Sequence, residues 1–144
     1  MTIRALGFAL LFAVTTGATA HRADVRIVVV VNTANVVSVM PRDHLSKIYL
    51  RQIPTWNGGN EILPVDQIEK SPARIAFSRD VQRQSLSALR RYWQERIFSG
   101  DDSPPPERVT DAEVLTYVRS NAGAIGYVVE GTDLGTGVKV MEIR

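Results

Sequence analysis

Apolar positions along the chain follow two kinds of pattern, one typical of strands and the other of helices. DVRIVVVVN (24–32) is a continuous, mainly β-branched run, which predicts a strand buried on both faces. EILPVD (61–66), GAIGYVV (123–129) and VKVMEI (138–143) predict three further strands. The last two are separated by a short glycine-rich segment, 130–137, and are expected to include antiparallel pairing.

Helical spacing of apolar residues predicts helices in three other parts of the chain. Residues 41–53 carry one apolar face, and residues 72–98 carry a longer pattern that fits either one bent helix or two. Thr110 and Glu113 form the T-x-x-E capping box that opens a helix through Asn121. Because strands alternate with helices, the predicted fold is α/β, with a small mixed sheet flanked by helices.

A few side chains are singled out as packing residues. Trp56 is expected to pack over the end of the sheet rather than to line a recognition surface. Gly123 and Gly126 are expected to allow close backbone packing. The expected buried face of the 72–98 segment consists of Tyr92, Trp93, Ile97 and Phe98.

The first twenty residues have the layout of a secretory signal peptide. Arg4 precedes an apolar stretch from Ala5 to Val14, and small residues follow up to an A-x-A site at Ala18–Ala20. The apolar stretch is shorter than the roughly 18 residues that span a bilayer, although an uncleaved anchor is the alternative. We therefore expect a signal peptide over 1–20 and a single periplasmic or secreted domain over 21–144, with no membrane span after cleavage.

Composition and charge make several functional classes improbable. The chain has 17 Lys and Arg against 15 Asp and Glu, without a basic cluster, so no nucleic-acid partner is expected. It has no cysteine, so its core must be stable without disulfides. His21 and His44 are far apart in the sequence, and neither a metal nor a cofactor is expected.

The chain shows no motif of nucleophilic, metal-dependent or phosphoryl-transfer catalysis. G-x-S-x-G, H-E-x-x-H and the P-loop are all absent, so the protein is not expected to be an enzyme. An enzyme would need a pocket that brings together Asp66, Glu69 and His44.

The start of the 72–98 segment is the candidate binding site. Ser71 followed by Pro72 is a strong helix-start signal, and free N–H groups at a helix start favour anions. Pro72 withholds one N–H donor, and acidic residues in the loop 66–70, expected to be exposed, oppose an anion. A weak anion site and a plain helix cap both remain open. The candidate ligand-binding residues are Lys70, Ser71, Ala73 and Arg74.

Four segments in order carry a family resemblance: LSKIYLRQIPTWNGG, ILPVDQ, YWQERIFSG and VRSNAGAIGYVVE. Together they resemble the periplasmic phosphate-binding proteins of ABC transporters. The resemblance implies an α/β lobe of the kind that those proteins use in pairs to trap phosphate. At this length we expect one lobe only.

The chain departs from the family at the ligand loop. The family reads Asp-Gly-Ser-Gly-Thr, usually with an Arg upstream, whereas the matching residues 69–73 here are Glu-Lys-Ser-Pro-Ala. Only Ser71 keeps a hydroxyl. The resemblance thus implies a non-enzymatic, exported protein that binds phosphate or a similar anion weakly if at all. The alternative is an interaction module that has lost ligand binding and docks to an envelope protein or transporter.

Overall fold

A five-stranded mixed sheet forms the centre of the protein in the computed structural model, which describes residues 24–144. The predicted signal peptide and His21 lie outside the described residues. The strands are β1 (Ile27–Asn32), β2 (Val39–Met40), β3 (Leu63–Pro64), β4 (Asp66–Gln67), β5 (Glu107–Arg108), β6 (Ala124–Val129) and β7 (Val138–Ile143). The main sheet has the order β2-β7-β1-β6-β3, and β4 and β5 form a separate two-stranded sheet. The predicted mixed sheet is thus confirmed.

Four α-helices flank the sheets in the described part of the chain. They are α1 (Arg42–Tyr49), α2 (Pro72–Phe77), α3 (Leu86–Ser99) and α4 (Asp111–Ser120), and a π-helical turn, Ser78–Gln82, continues α2. Arg83 then takes a left-handed conformation with φ of 51°, and the Ser85 side chain caps α3. The 72–98 segment therefore forms two separate helices. The Thr110–Glu113 capping box of α4 is present in both directions, as predicted.

β1 is buried on both faces, as its continuous apolar run predicts. Val29 and Val31 belong to a core on one face with Tyr49, Phe77 and Tyr127. On the other face Val30 packs in a second core that is formed mainly with α4. Two apolar layers therefore enclose one sheet, and β1 lies at its centre.

The expected antiparallel pairing of the last two strands is present, but both strands pair with β1 rather than with each other. β6 and β7 consequently run parallel, with β1 between them. The connecting residues 130–137 can span about 26 Å when extended, enough to return along a six-residue strand and cross over. The predicted strand 61–66 also divides, because β3 pairs with β6 whereas β4 pairs with β5.

The predicted buried face of α3 is wrong in part. Trp93 is buried and Tyr92 is half-buried, but Ile97 is 56% exposed and Phe98 is 94% exposed. At about 100° per residue these four positions span roughly 240° of the helix circumference, which is too wide for one face. The buried stripe of α3 instead runs through Leu89 and Trp93.

The predicted close packing of Gly123, Gly126 and Trp56 is confirmed. A Cβ on Gly123 would lie 2.2 Å from the Glu61 carbonyl oxygen, and one on Gly126 would lie 2.7 Å from Val114 Cγ1. Half-buried Trp56 packs against the core, and its indole N–H donates to the Gly123 carbonyl at 3.0 Å. Between residues 24 and 144, no helix has the length and apolarity needed to cross a bilayer.

Candidate functional site

The start of α2 is an N-cap of the predicted kind. Ser71 has an extended backbone, and its hydroxyl oxygen accepts a hydrogen bond from the Arg74 N–H at 3.4 Å. Pro72 occupies the first helical position, where a missing N–H costs nothing. The strand-to-helix junction at residues 65–72 is therefore a well-formed helix cap.

The Ser71 hydroxyl points into the protein. It donates to Gln67 Oε1 at 2.6 Å, and the Gln67 amide donates onwards to Asp111 Oδ1 at 2.8 Å and to the Tyr127 carbonyl at 3.0 Å. Ser71 and Gln67 are both buried. The one hydroxyl that the ligand loop retains therefore belongs to an internal network that joins α2 to α4 and β6.

Arg74 is buried and paired with an internal carboxylate. Its guanidinium donates to Asp66 Oδ2, and each residue is 5% exposed. Asp66 Oδ1 accepts from the Gln67 N–H at 2.8 Å and from the Tyr127 hydroxyl. The positive charge of Arg74 is thus matched inside the protein.

The expectation that the loop 66–70 is exposed is wrong at its first two residues. Asp66 and Gln67 form β4, whose partner β5 comes from a segment about 40 residues later. The Asp66 N–H donates to the Pro106 carbonyl at 2.9 Å, which holds this strand beneath the proline-rich loop. Lys70 is exposed, as expected, and Glu69 is half-buried.

Burial is the main cause of the pKa shifts of Asp66 and Tyr127. It raises the pKa of Asp66, while the charge of Arg74 and hydrogen bonds from Tyr127 and Gln67 oppose that rise. Burial, together with the neighbouring Asp66 carboxylate, also raises the pKa of the Tyr127 hydroxyl. Tyr127 therefore acts as a hydrogen-bond donor at neutral pH.

The four candidate residues do not share one surface. Lys70 faces solvent, whereas Ser71, Ala73 and Arg74 are buried. The sequence did not predict the buried hydrogen bonds of Gln67 and Tyr127, because Tyr127 lies in an apolar strand of the kind that is typical of an ordinary core. The one sequence feature that indicates a buried polar group here is Asp66, an acidic residue directly after the apolar run of EILPVD.

A groove lies next to the buried pair, between α3 and the segment 104–107. Its volume is about 210 Å³, and its lining includes Asp66, Glu69, Arg74, Trp93, Pro104 and Glu107.

His44 lines a different cavity, beside Trp56. The three residues that an enzyme would need, Asp66, Glu69 and His44, therefore do not converge. In the described part of the chain, no group of acidic, histidine or cysteine side chains could hold a metal ion.

The fold is α/β, with a mixed sheet, helices on both of its faces and a capped helix that follows β4. No protein-family model matches the sequence, and no curated protein matches it. Solved structures do share the fold, and all of those compared below match over 83% of this chain.

An ABC-type phosphate transport receptor from Vibrio cholerae has a TM-score of 0.66 at 22% identity, over 46% of its own length. PstS from Borrelia burgdorferi has a TM-score of 0.65 at 10% identity, over 47% of its length. A Clostridium perfringens protein described as a phosphate ABC transporter substrate-binding protein with bound phosphate has a TM-score of 0.61 at 17% identity, over 45% of its length. The chain thus has the fold of one lobe of these proteins and spans under half the length of each.

Proposed function

We propose that this protein is an exported, non-enzymatic binding-protein lobe that binds phosphate or a similar anion weakly if at all. The observation that carries the proposal is the buried Arg74–Asp66 pair. An arginine that would attract an anion already holds a carboxylate, which also accepts hydrogen bonds from Tyr127 and from the Gln67 N–H. A phosphate that approached Arg74 would meet this carboxylate and be repelled.

Two features favour a weak anion-binding site at the start of α2. Lys70 is exposed beside Ser71, and the first N–H groups of the helix carry a partial positive charge. Against them, α2 has only six residues and Pro72 lacks an N–H. An anion held by Lys70 and this helix start, in contact with water, would bind on the order of millimolar.

Phosphate titration of the folded domain, followed by backbone amide NMR, tests this proposal. We expect either no saturation or shifts at residues 70–74 with a dissociation constant of about 1 mM or weaker. Lys70→Gln should abolish such shifts, whereas Lys139→Gln, on β7, should leave them unchanged. Micromolar phosphate binding would contradict the proposal.

Export is tested separately. N-terminal sequencing of the protein recovered from the cell envelope should find His21 as the first residue. An intact Met1 on a membrane-bound species would contradict cleavage after Ala20.

A second candidate function is supported by one feature of α3. Ile97, which lines the groove, and Phe98 expose large apolar side chains at the end of this helix. Exposed apolar side chains next to a groove are typical of protein-interaction sites. The candidate is an interaction module of the cell envelope that uses this lobe to dock to another protein.

A further inference from the structure

The groove between α3 and residues 104–107 has apolar walls. Trp93 and Ile97 line it on the helix side, and Pro104 and Pro105 line it on the loop side. Proline side chains are stiff, and Pro has no N–H that would require a partner. The walls therefore offer apolar contacts to a bound group without exposing backbone donors.

The loop wall is held in place by backbone hydrogen bonds. The Asp66 N–H donates to the Pro106 carbonyl at 2.9 Å, and the Ile68 N–H donates to the Arg108 carbonyl at 3.1 Å. On the helix side, Arg90 of α3 forms an ion pair with Glu69, which also lines the groove, at 3.4 Å. These contacts hold both walls of the groove in place, and a preorganised groove lowers the entropic cost of binding.

The charged groups that line the groove leave one carboxylate uncompensated. Asp66 is paired with Arg74, and Glu69 with Arg90. Glu107 makes no ion pair with any residue between 24 and 144. Glu107 lines the loop wall, so the groove combines apolar sides with a net negative charge.

We propose that this groove binds a segment of a partner protein through a basic side chain. The methylene groups of a lysine or arginine would pack between Trp93 and Pro104, and its cationic end would pair with Glu107. Anionic groups are disfavoured there, because three carboxylates face the groove against two guanidinium groups. The inference deepens the second candidate function and rests on it, since it assigns the charge of the partner.

A protein segment is favoured over a small free cation by the surface that continues from the groove. Ile97 is 56% exposed, and Phe98 lies one helical turn beyond Gln94, a groove residue, with 94% of its area exposed. A small cation would cover neither side chain. A segment with apolar residues on either side of its basic residue would cover both.

Two matched peptides test the proposal: acetyl-Leu-Leu-Lys-Leu-amide and the same peptide with Glu in place of Lys. Amide NMR shifts of the full domain provide the readout. We expect the Lys peptide to shift the amide signals of residues 89–97 and of Glu107 and the Trp93 indole, and the Glu peptide to shift them far less. Glu107→Gln should weaken binding of the Lys peptide by about two- to fivefold and reduce its preference over the Glu peptide.

Glu95→Gln is the matched control, since Glu95 lies on α3 but outside the groove. This variant should bind both peptides as the wild type does. Ile97→Ser should weaken both peptides, because it removes apolar contact without changing charge. Equal shifts with the two peptides, no groove shifts at tens of millimolar, or an unaffected Glu107→Gln variant would each overturn the proposal. Phosphate shifts at 70–74 report on the first candidate function independently.

Discussion

The guanidinium of Arg74 and the carboxylate of Asp66 form an ion pair in the interior of the lobe, below the start of α2. Both residues lie within the ligand loop and its helix, where the sequence suggests an exposed anion site. The pair instead links α2 to the small β4–β5 sheet, and Tyr127 joins the same carboxylate from β6. The buried pair thus ties three elements of the lobe together.

Breaking this pair should strongly destabilise the fold. Arg74→Met or Asp66→Asn alone should each lower the free energy of unfolding by about 3–5 kcal/mol, because each leaves an uncompensated buried group. The double variant should lose clearly less than the sum of the two, and urea denaturation of all four proteins measures the difference. Strictly additive losses would show that the two side chains do not interact.

Ser71→Ala should lower the free energy of unfolding by more than the loss of a helix cap alone would. The cap itself is worth about 1 kcal/mol, and the hydroxyl also serves a buried acceptor on Gln67. Ser85→Ala is the matched control, since Ser85 caps α3 from an exposed position. We expect the Ser71 variant to lose about 2 kcal/mol and the Ser85 variant about 1 kcal/mol. Equal denaturation midpoints for the two variants would contradict the internal role of Ser71.

Two aromatic residues on α3 should respond differently to truncation. Trp93→Ala should lower the free energy of unfolding by about 3–5 kcal/mol, because Trp93 is buried. Phe98→Ser should change it by less than about 0.5 kcal/mol, because Phe98 is exposed. Chemical denaturation of both variants measures the contrast, and a large loss for Phe98→Ser would place this side chain in the core.

Gly123→Ala should be destabilising through backbone overlap. Its new Cβ would meet the Glu61 carbonyl oxygen, which is backbone and cannot move aside alone. We expect a loss of about 1–3 kcal/mol or more, together with a change in Trp56 fluorescence, since its indole bonds to Gly123. Gly58→Ala, where no atom lies within 4 Å of the new Cβ, should leave both observables nearly unchanged. A wild-type midpoint for Gly123→Ala would contradict this packing.

Glu107 should make the stability depend on pH in a defined direction. Partial burial, then the nearby Asp66 and Glu69 carboxylates, raise its pKa above the ordinary value of 4.5, while Arg74 opposes the rise. Arg90 also lines the groove that Glu107 faces. A raised pKa in the folded state means that the folded form favours the neutral carboxyl group, so this contribution to stability is present below pH 4.5.

That contribution is lost as the pH rises through the raised pKa of the folded state. Glu107→Gln should therefore denature at a slightly higher urea concentration than the wild type at pH 7, and at a similar one at pH 3.5. Glu95→Gln should show no such difference. A Glu107→Gln variant that is less stable at pH 7 would reverse the sign and contradict the proposed uncompensated charge.

The sequence by itself determined the elements whose signals are local. The β-branched run of β1, the Ser71-Pro72 start of α2 and the Thr110–Glu113 box of α4 all act over a few neighbouring residues. The α/β class and the close packing at Gly123 also followed from the sequence. The candidate site could be located along the chain for the same reason, because a helix start is encoded in the residues around it.

Only the tertiary structure decided which way the site residues face. Arg74 turns inward because Asp66 lies in β4, and β4 exists only because Glu107 and Arg108 pair with it from some 40 residues away. The same holds for β1, which lies between β6 and β7, and for Phe98, which no element within residues 24–144 covers. These outcomes depend on contacts between distant segments, and no pattern within a short window of sequence contains them.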